Sequence, residues 1–492
     1  MINTQFIFSI LATLSFANEA VAGENSVVVR TVVSELTDFA IDAHGNNLSH
    51  SRWVDSRVRF GSEFELFGNQ AVAEFDVMSG QIAGDEWIHG ENDARRRSAL
   101  SSRGNILPRK LAISGNSGIG SWQAGLVTSH WGLGMVANDG ANDGWFGHSE
   151  FGDRVVRLRL TTTPIGEGRA ADLPIYLTVA LDQVLSDDMA DIIEDSSSAT
   201  QLLGSALWKN SEMAAGIYGV LRHQRELEAD RVTNAGMVDM FFDVPVATVM
   251  GMSLQVSGEA AVIAGKTDRA TTYSSRDMVN VLSGGGVGRV ELASSDDRFT
   301  VRLQAGWASG DSNPDDDTTS DFSFDRDFEV GAVLFDQFMA GVEVGTLGLL
   351  SDPQYSGSPP DGVETITTEG AFRRARFEQV AIKAVPFASN DNLELRAGLT
   401  RATATAPISQ PFYTYREGGT ARTHHNEITT GDALGMELDW ALAYAIDGSG
   451  TGLSGAGVDL EVQGGHLFLS DDLAGDGEPR IDLYTVSVTA GF

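Results

Sequence analysis

Two short stretches of the chain carry residue types that hold metal ions. In "DSNPD", Asp311, Asn313 and Asp315 stand at alternate positions, as the first ligands of a calcium loop do. Asp316 stands where that loop needs glycine, and the closing bidentate glutamate is missing. Calcium at Asp311, Asn313 and Asp315 is therefore an expectation for an acidic loop, not for an EF-hand. In "THHNE", His424, His425 and Glu427 are close together, but neighbours on a strand point to opposite faces, so a shared metal needs a turn there. Hydrolytic chemistry has less to work with. Ser129 and His130 are adjacent and, on a strand, face apart. Asp182, Asp187 and Asp188 could form an acidic pair, with no histidine near them in sequence. There is no nucleophile elbow, HExxH or P-loop. The chain is read as a non-enzyme without a cofactor, a barrel hydrolase being the least favoured alternative.

The elements that must position these residues are amphipathic strands. In "RFTVRLQAGWASGD", Phe299, Val301, Leu303, Ala305 and Trp307 share one face, and Arg298, Thr300, Arg302, Gln304 and Gly306 the other. In "GMELDWALAYAID", Met436, Leu438, Trp440, Leu442, Tyr444 and Ile446 oppose Glu437, Asp439, Ala441 and Ala443. "DRVVRLRLTT", "SRVRFGSEFEL" and "LELRAGLT" alternate in the same way. The last twelve residues, "IDLYTVSVTAGF", also form such a strand, with Tyr484, Val486, Val488, Ala490 and Phe492 on its apolar side.

A soluble sandwich or solenoid alternates too, with its apolar face buried. A membrane barrel turns that face to lipid and its polar face to a lumen. Four features favour the barrel. The apolar faces approach the ~9–11-residue strand that crosses an outer membrane. Trp307, Tyr484 and Phe492 sit at strand ends, where an interfacial girdle belongs. Short turns such as "SSDDR" and "ASNDN" contrast with long acidic loops. A chain ending on a strand can close a cylinder and leave no open edge in lipid.

Composition agrees. The apolar run Phe6 to Phe16, followed by Ala20-Val21-Ala22, reads as a secretory signal cleaved after residue 22, although no Lys or Arg precedes it. Residues 23–492 then form a single domain. The net charge of -34 argues against nucleic acid, and the 0 cysteines leave closure to something other than disulfides.

A C-terminal amphipathic strand ending in Phe resembles the assembly signal of Gram-negative outer-membrane β-barrels, carried here by Tyr484, Val486, Val488, Ala490 and Phe492. "GWASGDSNPDDDTTSDFSF" (306–324) looks like a strand and loop of alginate-export-like porins. "SHWGLGMVANDGANDGWFGHSEFGDRV" (129–155) is similar to a segment of a little-characterised family of outer-membrane barrels. The resemblance implies an exported, porin-like protein of the cell outer membrane. Its partners would be outer-membrane lipid, lipopolysaccharide, the barrel-assembly machinery and small solutes or ions. An alginate exporter's lumen is crowded with Arg and Lys; the mixed lumen here does not carry that substrate over.

The expected fold is all-β: a transmembrane antiparallel up-and-down β-barrel of about 18 strands, 16 being second choice, with short periplasmic turns and long acidic outer loops. At that size wall side chains do not fill the bore, so a passage remains unless loops plug it. The expected lining is Arg57, Arg59, Glu63, Glu65, Arg157, Arg159, Arg302, Gln304, Lys383, Arg396, Glu437, Asp439, Asp459 and Glu461, with Glu74, Asp76 and Glu394 beside them. Acids cluster near both ends of the chain, which a closed barrel brings together. They are expected to face the arginines across the bore and set up a transverse field, the plainer alternative being charges that pair and keep the wall wet. The function expected is diffusion of ions or small hydrophilic solutes with a modest cation preference; the alternative is a structural or adhesive surface barrel with a loop-plugged lumen.

Overall fold

The computed structural model describes residues 23–48, 52–84, 106–141, 143–149, 152–165, 175–192, 197–226, 230–249, 251–269, 278–313, 316–355, 370–387, 391–447, 457–475, 477 and 479–492. The expected signal segment, residues 1–22, lies outside them. Eighteen wall strands follow the alternating segments. They are β1 (Gly23–Leu36), β2 (Arg52–Leu66), β3 (Asn69–Gly84), β4 (Ile106–Ser117), β5 (Gly120–Thr128), β6 (Arg154–Ile165), β7 (Ile175–Asp187), β8 (Ser197–Lys209) and β9 (Ala214–Glu226). The second half continues with β10 (Arg231–Val249), β11 (Met252–Thr267), β12 (Val279–Ser294), β13 (Phe299–Ala308), β14 (Ala375–Ala384), β15 (Leu393–Ala404), β16 (Ala433–Asp447), β17 (Gly457–Leu469) and β18 (Arg480–Gly491). Each pairs antiparallel with its sequence neighbours, and β1 pairs with β18 from Val28↔Gly491 to Leu36↔Leu483. Phe492 N–H donates to Val27 O (2.9 Å) and Val27 N–H to Phe492 O (3.1 Å). The terminal strand thus closes the cylinder and leaves no edge.

Leu221 is 64% exposed, Leu303 48% and Trp307 48%, on the outward face. Val486, Val488, Leu158 and Leu181 share that exposure. Their polar neighbours in the strands face inward. An apolar outer belt around a wall with no open edge is what lipid requires of a β-structure. No helix among the described residues is long and apolar enough to cross a membrane.

Connections alternate in length. At the end holding Phe492 they are short, as at Phe67-Gly68, where φ values of 53° and 76° make the tight turn that twisted strands accept. At the other end lie the long loops 37–51, 129–153, 309–374 and 405–432. These carry a π-helical turn (Leu334–Met339) running into helix α1 (Ala340–Ser351), and a short helix α2 (Pro411–Arg416).

The main hydrophobic core is inside the barrel. Phe322, Phe324, Phe328, Phe335 and Phe372 from loop 309–374 form edge-to-face contacts at 4.7–5.9 Å and pack on Phe377 of β14. Wall glycines give them room. A Cβ on Gly285 would stand 2.6 Å from Phe322, and one on Gly398 2.5 Å from Phe146 of loop 129–153. The acidic segment 311–327, expected to hang outside or fold into the mouth, is in part buried: Asp325 and Asp327 lie within the lumen because the flanking Phe324 and Phe328 dock there.

The two faces should respond oppositely to charge. Leu303→Arg places a cation against lipid at a cost of about 2–4 kcal/mol and should reduce the heat-modifiable folded fraction. Arg159→Leu, on the inward face, should leave it unchanged. Equal behaviour would refute the assigned register.

Candidate functional site

Loop 129–153 crosses the bore, and inward side chains from around the wall hold it. Arg30 of β1 donates to Asp143 (3.0 and 3.2 Å) and to Ser149 O (3.1 Å); Arg57 of β2 donates to Ser149 O (3.4 Å). Arg109 of β4 donates to Asp139 O, and Arg157 of β6 to Ser129 Oγ (3.0 Å). On the far side Trp131 Nε1 donates to Asp239 of β10 (2.8 Å), and Leu133 N–H donates to Glu259 of β11. Arg396 of β15 donates to Trp145 O (2.7 Å), Arg302 of β13 lies 3.8 Å over the Trp145 ring, and Gln463 of β17 accepts from Gly147 N–H (3.3 Å). Backbone carbonyls in a narrow bore need donors, and guanidinium supplies several in a fixed fork. Against the opposing effect of burial, the hydrogen bond with His148, then the Arg30 charge and the Ser149 N–H, hold Asp143 well below the usual carboxylate range.

Loop 309–374 docks on this crossing loop. Asp325 accepts from Asn138 N–H (2.9 Å) and Asp327 from Gly152 N–H (2.6 Å), while Asn138 Nδ2 donates to Asp327 O (3.0 Å). Further along, Glu437 of β16 accepts from Val333 N–H (2.7 Å) and Leu334 N–H (2.8 Å), the free donors opening the helical segment. Burial and the neighbouring Asp188, Asp153 and Asp327 push the Asp325 carboxyl up; burial likewise raises Asp188, to about 6, against the pull of Arg326.

The inward polar residues expected from the sequence divide into four groups, some residues belonging to two. Arg57, Arg157, Arg302, Arg396 and Glu437 hold the loops. Gln304, Glu437 and Asp439 are buried beneath them, Gln304 accepting from Arg289 (2.8 Å). Arg59 pairs with Asp76 (2.7 Å), Lys383 with Glu394 (3.8 Å), and Arg396 with Glu394 (3.2 Å) and Glu461. Glu63, Glu65, Arg159 and Asp459 lie on the inward faces of β2, β6 and β17. The separation into an acidic and a basic side does not occur: strand pairing sets Arg59 beside Asp76 and Arg157 beside Asp182 (2.8 Å), so opposite charges neutralise locally.

An open cavity of about 380 Å³ lies off-centre, between the inward loops and the wall from β6 to β12 at the long-loop end. None of the expected lining residues borders it. Its polar lining includes Asp153, Asp187, Asp188 and Asp325, with Arg222, which pairs with Asp187 (2.5 Å), and Arg269. Sequence reasoning missed Arg30, Arg109, Asp239, Glu259 and Asp153. A single charge inside an apolar run, as in "VVVRTVV" and "MVDMFF", was the signal for Arg30 and Asp239.

The other candidate residues are engaged as follows. Ser129 Oγ takes its bond from Arg157, and His130 Nδ1 lies 3.6 Å from Asp139. A turn at His424-His425 brings the two rings to 3.9 Å, but His424 is buried and pushed down to about 3, mainly by burial and also by His425. Asp311 accepts from Asn313 N–H (3.0 Å), and Asp315 lies outside the described residues. Among the described residues no group of three or more His, Cys, Asp or Glu is placed to hold a metal.

A closed antiparallel 18-strand barrel with an apolar belt and inward-folded loops is the fold of outer-membrane porins. Solved structures agree over nearly the whole chain. OccAB1 of Acinetobacter baumannii is 13% identical with a TM-score of 0.52, over 97% of this chain and 98% of that one. OccK5 (OpdH) of Pseudomonas aeruginosa is 9% identical with a TM-score of 0.51, over 96% and 98%. OccK8 (OprE) of the same organism is 10% identical with a TM-score of 0.50, over 96% and 98%. At these identities the likeness is one of fold. No protein-family model and no curated protein matches the sequence.

Arg30→Met removes charged bonds worth about 1.5–3 kcal/mol each from the crossing loop. Limited proteolysis should then cut within 129–153 faster, while the folded barrel persists in detergent. An unchanged cleavage rate would show that Arg30 does not hold the loop.

Proposed function

We propose that the chain is an outer-membrane channel through which ions and small hydrophilic solutes diffuse, with a modest preference for cations. The observation that carries this reading is the cavity of about 380 Å³ between the inward loops and the wall from β6 to β12. The barrel likeness to the Occ and Opd proteins supports it. Most inward arginines are committed to loop carbonyls and wall carboxylates, whereas the mouth loop keeps exposed acids such as Asp316 and Asp317. The net charge is -34. Fixed negative charge at a mouth enriches cations within a Debye length.

A structural or adhesive barrel is the second reading, favoured by the aromatic core that loop 309–374 builds in the lumen. Hydrolysis is not favoured, because Ser129, His130 and Asp182 each have partners other than one another. We further propose export through a signal at 1–22 and outer-membrane assembly through a signal at Tyr484, Val486, Val488, Ala490 and Phe492 read by the barrel-assembly machinery, in contact with lipopolysaccharide. The alginate-export-like likeness of 306–324 extends to that local sequence alone.

Purified protein in a planar bilayer should show discrete open-channel steps. Under a KCl gradient the reversal potential should indicate cation selectivity that fades as the screening length falls from about 10 Å at 0.1 M to about 3 Å at 1 M. Neutralising Asp315, Asp316 and Asp317 together, or adding calcium, should weaken it. Correctly inserted but silent protein would favour the plugged barrel, and chloride preference at low salt would overturn the mouth-loop account.

A further inference from the structure

The cavity between the inward loops and the wall has a lining unlike the rest of the lumen. Val155, Val220, Met237, Ile263, Val281 and Phe322 are among its apolar lining, from β6, from β9 to β12 and from one docked loop. Its polar edge is asymmetric in how its charges are engaged. Arg222 is held by Asp187 (2.5 and 3.1 Å), and Arg269 by Glu226 (2.9 Å) and Met189 O (2.8 Å). Arg373 pairs with Asp321 (3.1 Å) and Glu343 (3.5 Å), and Arg374 with Asp321 (2.9 Å). Asp188 meets Arg326 (3.0 Å), and Asp325 accepts backbone N–H groups. Asp153 differs: among the described residues no hydrogen bond or ion pair engages its carboxyl, while its backbone is fixed by N–H donation to Asn138 O (2.8 Å) and by accepting from Ser129 N–H (3.1 Å).

We propose that this cavity is a recognition site for small organic cations with a hydrocarbon body, the alkyl- and arylalkylamines, whose ammonium pairs with Asp153 while the body lies on the apolar wall. The inference rests on the channel reading above and names the solute class. A volume of about 380 Å³ falls in the range of about 300–1,000 Å³ usual for small-molecule pockets, which are mainly apolar with a few convergent polar groups. An unengaged carboxylate at the rim of a greasy pocket is an incomplete ion pair, and an ammonium completes it. A carboxylate solute has no equivalent partner, since Arg222, Arg269, Arg373 and Arg374 are already bound by acids.

Asp153 faces Arg326, Arg222, Arg157, Tyr218, Asp187, Asp188, Asp325 and Asp327. Burial, then the surrounding aspartates, push its carboxyl well above the ordinary range, with Arg326 opposing. A proton and an organic cation therefore compete for the same group, and cation binding weakens as pH falls.

The test uses the full chain in detergent and phenethylamine as probe. Calorimetry should show phenethylamine binding roughly tenfold or more tighter than 2-phenylethanol, 3-phenylpropionate, phenylalanine or ammonium ion. Asp153→Asn, which keeps shape and backbone bonds, should remove that advantage, and Val281→Phe should reduce it by filling the pocket. Equal binding of amine and alcohol, tighter binding of phenylalanine or phenylpropionate, or an unaffected Asp153→Asn would overturn the proposal while leaving the channel reading intact. Loss of KCl conductance in the unaltered chain would instead remove the channel reading.

Discussion

Arginine side chains projecting into the bore hold the backbone of residues 129–153, and the shape of the lumen depends on that interaction. An 18-strand barrel is too wide for its own side chains to fill. Arg30, Arg57, Arg109, Arg157 and Arg396 reach inward from five strands and meet loop carbonyls, a hydroxyl and one carboxylate. Each arginine satisfies acceptors that would otherwise stand unpaired in a narrow space, and each bond fixes where the loop crosses. The docking of loop 309–374 through Asp325 and Asp327 then becomes possible, because its acceptors find Asn138 and Gly152 already in position.

That second loop turns a symmetric cylinder into an asymmetric one. Its phenylalanines settle against the glycines and small residues of β12 to β15, where the wall leaves room, and build an apolar core inside a nominally polar lumen. A cavity of about 380 Å³ remains against the wall from β6 to β12. On the filled side Arg302, Arg396 and Glu437 are engaged with the loops, while the open side carries Asp153, whose carboxyl no hydrogen bond or ion pair engages among the described residues.

The period of two along β13 and β16 made the wall, its faces and the closing strand legible, because alternation is a local property and lipid tolerates only closed sheets. The inward direction of Arg57, Arg157, Arg302 and Arg396 followed from the same alternation. What each of them touches did not, because the crossing loop has no periodic pattern that says whether it leaves the barrel or enters it. The expected transverse field was lost for a related reason: clustering along the chain near its ends said nothing of which charge each strand pairing sets opposite another, and Asp76 meets Arg59 on the very next strand. The cavity and Asp153 were illegible for want of the loop positions that create them. The calcium spacing at Asp311, Asn313 and Asp315 was a true pattern of residue types whose described members bond within their own turn.

The central claim is that the inward loops fill one side of the bore and leave a water-accessible passage on the other. The chain contains 0 cysteines, so single cysteines can report accessibility without background. Val281→Cys, on the open wall, and Ala381→Cys, under the docked loop, should be placed in otherwise unaltered protein and exposed to a charged, water-soluble thiosulfonate in a bilayer. The account predicts rapid modification of Val281→Cys with a drop in conductance, and no modification of Ala381→Cys while the barrel stays folded. Equal reactivity at the two positions would contradict it.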